Sequence, residues 1–132
     1  MNSHPSLSGR VALVTGSGRN IGRATVHQLA RMGADVVVNT RTNRDEAELV
    51  AQEARRFGVR AVAVVADVAH QDQVEAMVEL AVEELGGVDI LINNVKGRFR
   101  YTQFEELTVK DWDTMFRARF AEASPAPRLR PR

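Results

Sequence analysis

No cysteine occurs among the 132 residues, which excludes disulfides, thiolate nucleophiles and cysteine-based metal sites. The three histidines (His4, His27 and His70) are scattered, without metal-ligand spacing. No apolar run reaches the roughly 18 residues that a membrane-spanning helix needs, so none is expected. The N-terminal stretch MNSHPSLSGR lacks the apolar centre of a signal peptide, and a cytoplasmic location is expected. What is present, 27% charged and 44% hydrophobic residues, suits a globular chain better than a disordered or fibrous one. The length corresponds to about one domain and allows roughly two-thirds of the extended surface to be buried.

The net charge of +1 hides an asymmetry. Residues 117–132 carry five Arg and one Glu, a net +4, whereas residues 1–116 hold 13 basic and 16 acidic groups, a net −3. Prolines at 125, 127 and 131 forbid a continuous helix in the tail. A boundary is therefore placed at 116/117, with a body at 1–116 and a disordered Arg/Pro-rich tail at 117–132. Five arginines with little aromatic interleaving give only a modest phosphate-binding term. A solvated tail is favoured over a nucleic-acid contact.

Within the body, short apolar runs alternate with amphipathic stretches. Val11–Thr15, Asp35–Asn39, Ala61–Ala66 and Val88–Asn93 read as buried strands. Helices are expected over Asn20–Met32, 44–57 and 71–85, each followed by a glycine stop at Gly33, Gly58 or Gly86. Asp45, Glu46 and Glu48 near the start of the second helix, with Arg55 and Arg56 near its end, suit the helix dipole. A further helix is expected from Thr108 through Trp112, Met115 and Phe116. This alternation implies right-handed βαβ crossovers and a parallel sheet covered on both faces, an α/β architecture.

The sharpest local feature is Thr15-Gly16-Ser17-Gly18-Arg19-Asn20-Ile21-Gly22, which joins the first strand to the first helix. Glycines let the backbone turn tightly and approach a ligand, while the helix N-terminus offers unpaired N–H groups to a pyrophosphate. A strict G-x-G-x-x-G fails at Ile21; the spacing matches T-G-x-x-x-G-x-G with Asn20 in place of the middle glycine. Asn tolerates a left-handed backbone better than most residues, so the change is mild.

With Asp67-Val68 after the third strand, Asn93-Asn94-Val95 after the fourth, and Glu106–Trp112, this loop resembles the short-chain dehydrogenase/reductase family over about residues 7–118. The resemblance implies a Rossmann-like doubly wound sheet of about four strands in order 3-2-1-4. It also implies an NAD(P) site built from Gly16, Ser17, Gly18, Arg19, Asn20, Ile21, Gly22, Thr40, Arg41, Asp67, Val68, Asn93, Asn94 and Val95. In such a site Asp67 meets the adenine amino group, and the Asn93–Val95 strand end supports the adenosine ribose.

Charge bears on the choice of cofactor. An acid about 20 residues beyond the glycine loop would accept from a ribose 2′-OH and select NAD. Asn39-Thr40-Arg41 contains none. Arg41 and Arg19 are instead placed to meet a 2′-phosphate, and NADP(H) is expected over NAD(H).

The family's catalytic set is absent. The only tyrosine, Tyr101, is followed four residues later by Glu105 rather than lysine, and no serine lies between Ser17 and Ser124. Arg119 stands where the family has Asn, and Lys96 stands where it has Gly. The first expectation is the cofactor-binding N-terminal half of a short-chain reductase, truncated or frame-shifted near residue 117 and lacking catalysis alone. The alternatives are a non-enzymatic NADP(H)-binding or interaction module, and an enzyme completed by another chain. Without further strands, Val88–Asn93 would be an apolar sheet edge that invites self-association.

Overall fold

The structure, a computed structural model, describes residues 6–94. Val95, the expected helix from Thr108 and the tail at 117–132 lie outside the described residues. The elements are β1 (Val11–Val14), α1 (Asn20–Arg31), β2 (Asp35–Thr40), α2 (Arg44–Arg55), β3 (Ala61–Val65), α3 (Gln71–Leu85) and β4 (Ile90–Ile92). The four strands are all parallel and lie in the order β3-β2-β1-β4. This is the Rossmann-like arrangement, in which the chain leaves β1 on one side and crosses to β4 on the other.

Strand periodicity sorts the core. Ala12 and Val14 of β1, with Val36 and Val38 of β2, face α1 and α2 and pack against Val26, Leu29 and Val50. Val11, Leu13 and Val37 point the other way and pack against Met77, Ala81 and Leu85 of α3. Successive residues thus feed opposite layers, as the pleat requires, and both faces of β1 and β2 are buried. The buried face of α2 includes Ala47, Ala51 and Ala54, small side chains that let the helix lie close to the sheet.

Element ends differ from the sequence expectation by one or two residues. At β4 the Asp89 carboxylate takes the Val11 N–H at 2.9 Å in place of a backbone carbonyl, while the Asp89 N–H donates to the Val11 carbonyl at 2.8 Å, and the strand proper runs over Ile90–Ile92. Ile21, apolar and in the helical pattern, is 66% exposed, and Val26 takes the core position instead. The helix stops hold: Gly33, Gly58 and Gly86 all have positive φ. Among the described residues no helix is long and apolar enough to cross a membrane.

Candidate functional site

The carboxyl ends of β1 and β2, the loops that follow them and the start of α1 enclose an open cleft of about 560 Å³. Its walls are Gly16, Gly18, Arg19, Asn20 and Ile21 from the glycine loop, Thr40 to Asn43 and Glu46 from the β2–α2 turn, and Asn94. Such a crevice, outside the strand ends where strand order reverses, is where open α/β sheets bind ligands.

A buried polar knot fixes the loop. Ser17 is fully buried; its hydroxyl donates to the Val14 carbonyl at 2.7 Å and accepts the Asn39 N–H at 2.9 Å. The Ser17 N–H donates to the Asn39 carbonyl at 2.7 Å. The Asn39 side chain accepts the Gly16 N–H at 3.1 Å and donates to the carbonyls of Val64 and Ala66 at 3.2 and 3.1 Å. From the opposite side, the Asn94 amide donates to the Gly16 carbonyl at 3.0 Å, and its N–H donates to Thr15 Oγ1 at 3.0 Å. The loop is thereby tied to β2, β3 and the end of β4.

Two glycines are required by close approach. A Cβ on Gly22 would lie 2.5 Å from the Gly16 carbonyl oxygen and 2.7 Å from Asn94 Nδ2, so only glycine lets α1 start against the loop. A Cβ on Gly18 would stand 2.5 Å from Thr40 Cγ2 and 3.1 Å from Glu46 Cγ. Between them Asn20 adopts φ +54, the left-handed conformation that asparagine tolerates.

The start of α1 is chemically open. Arg19, extended at its N-cap, makes no side-chain capping bond, and the first turn carries no acid. In contrast, α2 is capped by Asn43, whose side chain accepts the Glu46 N–H, and has Asp45 and Glu46 in its first turn. The first N–H groups of α1, with the positive end of its dipole, are therefore available to an anion in the cleft.

The structure thus brings Gly16, Gly18, Arg19, Asn20, Ile21, Thr40, Arg41 and Asn94 to one cleft, with Ser17 and Gly22 supporting the loop from beneath. Asn93 is exposed at the end of β4 and does not line the cleft. Asp67 lies past β3, where its carboxylate accepts the Ala69 N–H at 3.0 Å. The Val68 side chain is buried with Val64 and Met77. Thr42, Asn43 and Glu46 line the cleft without having been read as site residues in the sequence. Glu46 matters most: its Oε1 lies 3.4 Å from Arg19 Nε. The neighbourhood of Thr40 therefore has a carboxylate after all, supplied by the next helix. Arg41 has no ionic partner among the described residues.

A parallel sheet in the order 3-2-1-4, with a glycine cradle and an uncapped helix start at its carboxyl end, defines a Rossmann-like α/β protein. Residues 10–121 match the short chain dehydrogenase family, and the chain belongs to it. Short chain dehydrogenase mdpC from Emericella nidulans is 39% identical over 126 residues, which cover 92% of this chain and 47% of that protein. Among solved structures, a variant short-chain dehydrogenase/reductase from Serratia marcescens superposes with a TM-score of 0.79 at 36% identity, over 91% of this chain and 50% of that one. An NAD+-bound xylitol dehydrogenase gives 0.79 at 29% identity, over 88% and 46%. The chain spans about half the length of the relatives it matches.

Proposed function

We propose that the chain is the NADP(H)-binding portion of a short-chain oxidoreductase acting on carbonyl or hydroxyl substrates. The observation that carries this reading is the uncapped, acid-free start of α1, set over a glycine cradle in the cleft. A pyrophosphate there is held by backbone N–H groups, and Ile21, apolar and exposed, covers the ligand's flank. Thr40 and Arg41 line the cleft on the β2 side, which this reading assigns to the adenosine ribose. Arg41, without an ionic partner among the described residues, and Arg19 offer charge-assisted bonds to a 2′-phosphate.

In this reading Asn94 positions the loop. Asp67, Val68, Asn93 and Val95 complete the adenosine side through their strand ends, by likeness to the family. The cofactor supplies hydride transfer when bound. No Tyr-x-x-x-Lys pair occurs in the 132 residues, and we read residues 1–116 as binding the dinucleotide without turnover by themselves, with 117–132 as a separate tail. The apolar strand β4, outermost among the described residues and with Leu91 39% exposed, is where copies associate in this account.

Titration of the purified chain with NADPH, followed by a turnover assay with a panel of ketones and 3-oxoacyl thioesters, tests this function. Binding without oxidation of NADPH supports it. Turnover rejects the binding-only reading, and no binding rejects the function outright.

A further inference from the structure

Glu46 is held in an unexpected direction. It occupies the third helical position after the N-cap Asn43, where a capping-box carboxylate folds back onto the N-cap N–H. Half of that box is present, since Asn43 Oδ1 accepts the Glu46 N–H at 3.0 Å. The returning bond is not made among the described residues; the side chain instead leans over the glycine loop. A Cβ on Gly18 would stand 3.1 and 3.2 Å from its Cγ and Cδ, and its carboxylate meets Arg19 at 3.4 Å. The two partners are unequal: the Arg19 side chain is 76% exposed and that of Glu46 24%. Glu46 is the fixed member and Arg19 the movable one.

We propose that Glu46 is a specificity-determining residue at the ribose end of the cleft, the counter-ion that Arg19 exchanges for a 2′-phosphate and a brake on the preference for the phosphorylated dinucleotide. This rests on the reading of the cleft as a dinucleotide site. A dianion entering between Arg19 and Arg41 must displace a carboxylate from one of its two guanidiniums and then sit beside it. A ribose 2′-hydroxyl meets no such cost, because it can donate to the same carboxylate. Glu46 therefore opposes the phosphorylated cofactor while accommodating the unphosphorylated one, and discrimination reflects two arginines less one acid.

The test uses the full 132-residue chain with two small probes of the ribose end, 2′,5′-ADP and 5′-AMP, titrated calorimetrically. Glu46→Gln is expected to tighten 2′,5′-ADP about fivefold, the release of one exposed ion pair, and to change 5′-AMP by less than about twofold. Glu46→Ala is expected to agree, and Glu46→Asp, which keeps the charge, to stay near the wild-type ratio. An unchanged ratio in the neutral variants, or equal shifts for both probes, overturns the inference even if the wild type prefers 2′,5′-ADP. A wild type without preference that gains one in Glu46→Gln keeps the inference and overturns the NADP(H) reading. Binding of neither probe to any variant overturns both.

Discussion

The side-chain oxygen of Asn39 accepts the Gly16 N–H at 3.1 Å, while its amide nitrogen faces the carbonyls of Val64 and Ala66. One 1%-exposed residue thus joins the first glycine of the loop to β3, across the width of β2. Polar groups buried this deeply are stabilising only while fully paired.

Asn39→Ala should therefore cost about 2–4 kcal/mol, from orphaned carbonyls and a freed loop N–H. Asn39→Asp is the sharper test. It is the same size, yet it sets a carboxylate oxygen against two carbonyls, and it should destabilise at least as much as alanine. Urea unfolding of the three proteins measures this. An aspartate variant as stable as wild type would show that the amide donors contribute little.

At Gly18 the obstacle is a side chain. Gly18→Ala should lose about 1–3 kcal/mol by overpacking against Thr40 Cγ2. Thr40→Ser removes that methyl while keeping the hydroxyl that donates to the Asn43 carbonyl, so it should restore part of the loss. The comparison is a double-mutant cycle in thermal unfolding, with non-additivity expected because the two groups touch.

Gly22→Ala meets backbone instead, 2.5 Å from the Gly16 carbonyl oxygen. No second substitution can relieve this contact, so the loop must move. Dinucleotide affinity should fall by about tenfold or more, as expected when a positioned binding group is displaced, even where the variant remains folded by circular dichroism. Affinity within about twofold of wild type would show that the close packing of α1 on the loop is not needed for binding.

Acid stability should respond to a pair that joins α1 to α2 beside the cleft. Arg23 bonds Glu53 through two nitrogens, at 3.1 and 2.5 Å, and this hydrogen bonding holds the Glu53 carboxyl below its ordinary value. A depressed folded-state pKa contributes stability that is present above the unfolded carboxylate pKa and lost as pH falls through the folded one. Arg23→Gln should therefore flatten the fall in stability below the ordinary carboxylate range and leave its shape near neutrality unchanged. Arg23 is exposed and Glu53 only partly buried, so solvent screening keeps the change small; unfolding curves across acidic pH measure it.

The strands and helices were legible because apolar runs, glycine stops and amphipathic stretches follow local physics. The glycine loop was legible because its spacing is read along one segment. Glu46 was not legible as a cleft residue. In sequence it is a first-turn acid suited to the α2 dipole, and only the packing of that turn beside Gly18 brings its carboxylate to Arg19. Asn39 looked like a strand terminus, because nothing in Val38-Asn39-Thr40 reveals that the carbonyls of Val64 and Ala66 and a loop N–H converge on it. Ile21 misled for the opposite reason: it belongs to the helical pattern, yet the first turn faces the cleft, where an apolar residue need not be buried.

The central claim is that this cleft takes the phosphorylated dinucleotide. Isothermal titration of the purified chain with NADPH and NADH in the same buffer tests it most directly. The account predicts NADPH to bind about tenfold tighter or more, the worth of one strong charge-assisted contact beyond the opposing carboxylate. Equal affinities, or tighter binding of NADH, would contradict it.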